Sequence, residues 1–224
     1  MNKIIVIEGT DCSGKETQSK LLLKRLNEEN ISTEYITFPN YESPTGKIVG
    51  GPYLGKESIS NGYFEEGAAN VDPKVASLYY AADRLYNKPI IDKLLKKSNI
   101  IIDRYVESNM GHQGGKISDS KKRLELYNFL ETLEYDLLNL PRPDITIFLY
   151  MPYEYAVELK KNRTEIDQHE LSEEHLRNAE EAYLELSKLH NYEQINCVQN
   201  GEIRSIEDIN EELYQKVKRK IMEN

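Results

Sequence analysis

Only two cysteines, Cys12 and Cys197, occur in the 224 residues. They are too few for a disulfide framework, so a reducing cytoplasm is the compartment to expect. Long hydrophobic runs are also missing. Ile4–Ile7 and Ile100–Ile102 fall far short of the roughly 20 apolar residues that a membrane helix needs, and no membrane span is expected. The opening Met1-Asn2-Lys3 leads straight into a strand-like segment, without the apolar stretch of a signal peptide. Positive charge is scarce: 29 Lys and Arg against 38 Asp and Glu leave a formal charge of −9. That balance argues against a nucleic-acid polymer as the main partner. The four histidines (His112, His169, His175, His190) show no spacing that cysteines or carboxylates would complete into a metal site. No internal repeat or low-complexity segment is present.

What is present is a chain able to bury a core, 39% hydrophobic and 30% charged, of a length that suits one domain spanning 1–224. Short apolar runs alternate with helical patterns. Strands are expected at 3–7, 35–38, 99–103, 145–150 and 192–198. Helices are expected at 15–29, 73–97, 118–139, 152–162, 172–190 and 205–222. Residues 40–72 are rich in glycine and turn signals, and are expected to be irregular with at most a short helix. Strands separated by helices imply parallel pairing, right-handed crossovers and helices on both faces. The expected architecture is therefore a three-layer α/β domain.

Gly9-Thr10-Asp11-Cys12-Ser13-Gly14-Lys15 matches the G-x-x-x-x-G-K core of a phosphate-binding P-loop. Glycines let the backbone curl into a nest of N–H groups, the following helix adds partial positive charge, and the lysine reaches the β- and γ-phosphates. Glu16 departs from the motif, which places Ser or Thr there to help hold Mg²⁺. Thr17 lies one position late and is expected to face elsewhere on the helix. The loop alone says nucleotide without naming a reaction. Asp103-Arg104-Tyr105 directly follows a predicted strand, where ligands bind in open α/β sheets. Asp103 there suits Mg²⁺ and Arg104 a phosphate, although an isolated Asp-Arg pair is also a common structural ion pair. Tyr80 and Arg84, four apart on a helix, share one face and can meet one flat ligand.

Glu8 to Asp11 with Gly14-Lys15, Phe38-Pro39, Tyr80 to Arg84, Asp103 to Tyr105 with Ser108-Asn109, and the stretch from Pro152 to Tyr183 together resemble the thymidylate kinase family. The resemblance implies a P-loop NTPase fold with a five-stranded parallel sheet and a lid at about 163–172. The implied reaction passes the γ-phosphoryl group of ATP to dTMP with Mg²⁺, in a homodimer. The implied ATP site is Gly9, Thr10, Asp11, Cys12, Ser13, Gly14, Lys15, Glu16 and Thr17, with Asp11 also meeting the 3′-hydroxyl of dTMP. Tyr80 falls on the base-stacking aromatic, Arg84 on the arginine that reads the thymine edge, and Arg104 on the arginine that holds the phosphates. Asn109 and Gln113 fall on the base and sugar pocket, with Ser108 beside them. Phe38 and Tyr41 fall beside the acceptor phosphate and ribose.

Three departures stand out. Tyr41 occupies a position that often carries arginine. His112 stands where an aromatic ring often crowds a ribose 2′-hydroxyl. Gln168 replaces a lid arginine. With Cys12 in the P-loop, the resemblance assigns the catalytic lid cation to Arg163, which a helix-end surface charge would also explain. Lys15, Arg104, Arg163 and Asp103 (through water to Mg²⁺) are thus the expected catalytic set. Two other readings stay open at this point. The acceptor is another nucleoside monophosphate or a deoxynucleoside, or the chain binds nucleotide without transfer. A guanine-reading N-K-x-D pattern is absent.

Overall fold

In the computed structural model, which describes residues 2–160 and 173–223, the β-branched run Ile4-Ile5-Val6-Ile7 forms the central strand. Branching at Cβ favours the pleated backbone, and burial on both faces explains why the run is apolar without alternation. The strands β1 (Ile4–Gly9), β2 (Thr33–Thr37), β3 (Asn99–Asp103), β4 (Ile145–Tyr150) and β5 (Glu193–Asn196) form a five-stranded sheet in the order β2-β3-β1-β4-β5. Every adjacent pair is parallel. The helices are α1 (Lys15–Glu28), α2 (Pro44–Ile48), α3 (Pro73–Leu95), α4 (Val106–Gly114), α5 (Ser120–Glu131), α6 (Tyr153–Lys160), α7 (Glu173–Leu189) and α8 (Ile206–Met222).

Alternate strand residues face opposite helical layers. Ile4, Val6, Ile100 and Ile102 pack with Ile91 of α3, Met110 of α4, Leu126 of α5 and Leu186 of α7. Ile5, Ile7, Ile101 and Ile147 pack with Leu22 and Leu26 of α1 and Leu213 and Val217 of α8. Each of these buried aliphatic side chains contributes about 1.5–3 kcal/mol of transfer free energy, so the two layers hold the sheet rigid and its carboxyl edge fixed.

The expected strands and long helices are present with shifted ends. Four features differ from the sequence expectation. Helix α4 was not anticipated: it is short and holds glycine at 111, where a Cβ would lie 2.6 Å from the Tyr183 ring. Its start is capped from far away in sequence, as described below. Within 40–72, α2 continues through a π-helical turn, Val49–Tyr53. The expected helix over 118–139 is α5 followed by a second π-helical turn, Thr132–Leu137, which buries Glu134 and Tyr135 and is the kind of bulge often found at functional sites. A small hairpin, β6 (Val198–Gln199) with β7 (Glu202–Ile203), turns at Asn200-Gly201, where both φ angles are positive, 54° and 81°, as a tight two-residue turn requires.

No described helix is long and apolar enough to cross a membrane. The expected lid, including Arg163 and Gln168, lies outside the described residues.

Candidate active site

The carboxyl ends of β1 and β3 lie side by side, because Ile7 is in register with Asp103 and the Arg104 amide donates to the Ile7 carbonyl at 3.2 Å. The P-loop therefore leaves β1 next to the Asp103-Arg104 pair, as the sequence spacing implied. A Cβ on Gly9 would sit 2.5 Å from the Leu149 carbonyl oxygen of β4, so only glycine fits at the strand's end. Thr10 turns its hydroxyl away from the loop's open side, donating to the Met151 carbonyl at 2.7 Å and accepting from the Met151 amide at 2.9 Å. Cys12 and Gly14 both take the left-handed conformation, with φ of 57° and 76°, and Gly14 is the N-cap of α1.

That cap has no side-chain hydrogen bond. By contrast, Ser43, Asp72, Asp119 and Ser205 each accept an amide at the starts of α2, α3, α5 and α8. Helix α1 thus presents its first-turn amides to the cleft, where an anion binds favourably. Ser13 is buried beneath the loop. The Lys15 ammonium is also buried and donates to the carbonyls of Gly9 at 2.9 Å and Thr10 at 3.1 Å. Burial first, and then the Arg104 charge, lower its pKa to about 8. An anionic phosphate beside it restores the preference for the ammonium form. Glu16 points to solvent and pairs with Lys20 at 2.5 Å. Thr17, one position later, also borders the cleft.

Arg104 takes φ 65°. One edge of its guanidinium lies 3.5 Å from Asp11 Oδ1 and the other 3.2 Å from His112 Nε2. A guanidinium only donates, so Nε2 accepts and His112 is neutral. Burial holds its pKa well below the ordinary histidine value. The imidazole is clamped between His175, stacked at 5.7 Å and 14°, and the edge-on Tyr183 ring. Asp103 is buried. Its Oδ2 accepts from Tyr35 Oη at 3.1 Å, and its Oδ1 has no hydrogen-bond partner among the described residues.

Two acids that sequence reasoning did not single out hold this framework. Glu8 is fully buried and accepts from the amides of Tyr105 (2.7 Å) and Ser108 (3.1 Å), the Ser108 hydroxyl (2.5 Å) and the Tyr183 hydroxyl (3.2 Å). It caps α4 immediately after Arg104, and desolvation raises its pKa. Ser108 accordingly stands in the cleft wall with its hydroxyl committed to Glu8. Glu134 binds Arg84 through Nε and through Nη2, the latter at 2.6 Å, and accepts from Asn109 Nδ2 at 3.1 Å. Arg84 Nη1 donates to the Tyr105 carbonyl at 3.2 Å. Glu8 opens the motif that leads into the P-loop, but no local pattern assigns either acid its partners, which lie 25 to 175 residues away.

On the far side of the cleft, Asp83 accepts from the Asn40 amide at 2.8 Å, Ser43 Oγ at 2.9 Å and Thr45 Oγ1 at 2.8 Å. These bonds bind the segment after Phe38 to α3. Phe38, before a cis proline, packs against Tyr105 with ring centroids 6.1 Å apart. Tyr80 meets the Tyr53 ring edge-on at 5.7 Å. Gln113 is fully buried, and neither of its amide atoms has a partner among the described residues, nor does Asn109 Oδ1.

One cleft of about 840 Å³ runs from Gly14, Lys15, Glu16 and Thr17 past Asp103 and Arg104 to Tyr41, Tyr80, Arg84, Asn109 and Gln113. The structure therefore brings together every expected site residue among those described, except that Gly9, Thr10 and Ser13 act as the loop's frame rather than its lining. Chemically, the cleft offers an anion cradle at one end and an aromatic pocket with amide groups at the other, with a fixed cation between them.

The family model described as thymidylate kinase matches residues 7–213. The probable thymidylate kinase of Methanocaldococcus jannaschii is 29% identical over 95% of this chain and 94% of its own length. Human thymidylate kinase is 29% identical over 66% of this chain and 60% of its own. The solved structure of thymidylate kinase from Candida albicans superposes with a TM-score of 0.75 at 23% identity, covering 97% of this chain and 92% of that one. Because that family model spans nearly the whole chain, from residue 7 to residue 213, this chain belongs to the thymidylate kinase family.

Proposed function

We propose that the cleft binds ATP at its P-loop end and dTMP at its aromatic end and transfers the γ-phosphoryl group between them. The chain is an ATP-dependent dTMP kinase. The observation that carries this reading is the position of Arg104, fixed between Asp11 of the P-loop and His112 of α4 at the middle of a single cleft. Phosphoryl transfer asks for in-line placement and charge neutralisation rather than covalent chemistry by the protein. Lys15 exchanges its carbonyl partners for donor phosphate oxygens. Arg104 spans donor and acceptor, its planar fork suited to two phosphate oxygens at once. Tyr80, backed by Tyr53, stacks on the base, while Gln113 and Asn109 supply the amide groups that a pyrimidine edge needs. The acceptor phosphate is already anionic, so no general base is required.

The residues present fit a divalent ion: Asp103 offers a buried, unpartnered carboxylate oxygen beside the phosphate cradle, with Thr17 close by on the wall. No described group of three His, Cys, Asp or Glu forms a metal site alone, which suits Mg²⁺ arriving on the nucleotide and keeping its waters. When bound, it supplies charge neutralisation to the donor phosphates. Arg163, which lies outside the described residues, keeps on the family resemblance the role of a further cation for the transferring group. The compartment we assign is a reducing cytoplasm, on the scarcity of cysteine in the sequence.

Coupled ADP-release assays with dTMP, dUMP, dGMP, dCMP and thymidine test the reading. Mg²⁺-dependent turnover is expected to be fastest with dTMP. Preference for any other acceptor would sink the assignment, and nucleotide binding without turnover would favour a regulatory relative.

The chain is further assigned to a homodimer. Val75, Leu78, Leu85, Tyr86 and Ile90 lie along one face of α3 and are 42–56% exposed, a contiguous apolar stripe of the sort that marks an interface. Leu78→Glu is expected to convert the dimer to monomer in sedimentation experiments, and an unchanged sedimentation coefficient would reject this face.

A further inference from the structure

The segment linking α2 to α3 ends its π-helical turn at Gly55, whose φ of 65° reverses the chain. The Gly55 amide donates to the Gly51 carbonyl at 2.7 Å and the Lys56 amide to the Gly50 carbonyl at 2.9 Å. This terminus projects Lys56 back over the cleft, where it lines the wall together with Tyr41, Phe38 and Leu54. Its ammonium stands 4.5 Å from the centre of the Tyr41 ring. The Tyr41 ring is itself packed on Gly50, where a Cβ would come within 2.8 Å of it, so the platform under the ammonium is fixed.

Lys56 is half-buried and forms no ion pair with a described carboxylate, whereas Lys3, Lys20, Lys24, Lys88, Lys216, Lys218 and Lys220 each do. Glu57, the next residue, is exposed. A ring face attracts the ammonium but accepts little of its hydrogen-bonding capacity. The result is a pre-positioned cation with donors to spare, facing a cleft built for two anions.

We propose that Lys56 binds the phosphate of the acceptor nucleotide, with Tyr41 as the platform that aims it. The inference rests on the dTMP-kinase reading of the cleft and names a residue that the sequence motifs did not. A charged donor on a phosphate oxygen acts on the acceptor's phosphate and not on its nucleoside, which separates this role from a packing role.

The test compares the wild-type enzyme, Lys56→Met and Lys56→Arg by calorimetric binding of dTMP and of thymidine, with steady-state KM values for dTMP and ATP. Lys56→Met keeps the aliphatic stem over Tyr41 and removes the charge. It is expected to weaken dTMP binding about tenfold, leave thymidine binding and the ATP KM unchanged, and be largely restored in Lys56→Arg. Equal weakening of dTMP and thymidine, or no change in either, would overturn the proposal. Failure of the wild-type enzyme to use dTMP would instead overturn the dTMP-kinase reading itself, so the two failures remain distinct.

Discussion

Arg104→Ala is expected to lower dTMP-dependent ADP release by at least about 10²-fold, the scale on which one pre-organised transition-state donor acts. Two consequences of the geometry set the size of the effect. The guanidinium is the cation between the two phosphate-bearing ends of the cleft, so its loss exposes developing charge. It also neutralises Asp11, 3.5 Å away, so the variant leaves a carboxylate facing anionic ligands. The left-handed backbone at this residue, φ 65°, burdens alanine and arginine alike, so an unchanged urea midpoint alongside the lost rate is the expected control. Arg104→Lys keeps the charge but not the planar fork, and is expected to recover only part of the rate. Near-normal turnover in Arg104→Ala would remove this residue from the mechanism.

Glu134→Ala is expected to cost about 3–5 kcal/mol of folding free energy, read as a shift of the urea midpoint, because it strands the guanidinium of Arg84 in the interior. Arg84 is 1% exposed and Glu134 is fully buried. Once the carboxylate is gone, only the bond to the Tyr105 carbonyl remains for Arg84, and Asn109 loses its 3.1 Å acceptor. Removing both charges in Arg84→Met with Glu134→Leu is expected to restore most of the stability, since apolar replacements of a buried pair are often tolerated. The KM for dTMP in that double variant should stay raised, because the aromatic pocket has lost its ordered wall. A loss below about 1 kcal/mol in Glu134→Ala would show that the pair contributes little to the fold, as exposed pairs do.

Much of the molecule was legible in the sequence, for local reasons. The Ile-rich strands announce themselves because β-branched residues buried on two faces need no alternation. The P-loop is legible because Gly9 and Gly14 meet backbone demands that other residues cannot. The pairing of Tyr80 with Arg84 follows from helical periodicity alone. Helix α4 was missed because the signal that starts it is not adjacent: Glu8 of β1 supplies the capping acceptor that a local Ser or Asp otherwise would. Which faces of α1 border the cleft is likewise not local, because it depends on how the helix leans on the sheet.

The sequence by itself determined the five strands of the sheet and the long helices between them, the phosphate loop, and the identity of most of the site's few cations in an acidic chain. Those depend on residue type and on spacings of a few residues, where backbone geometry leaves little choice. Tertiary structure alone decided which groups those cations meet. Arg84 is tied to Glu134 inside the protein and Arg104 is held between Asp11 and His112, while Lys56, which no motif marks, rests on Tyr41 from a segment that reads as irregular. The physical reason is that charge acts through distance in space. Carboxylates separated by tens of residues along the chain become neighbours only when the sheet brings its carboxyl edges together. There they set, one cation at a time, the charge of a site that the net −9 conceals.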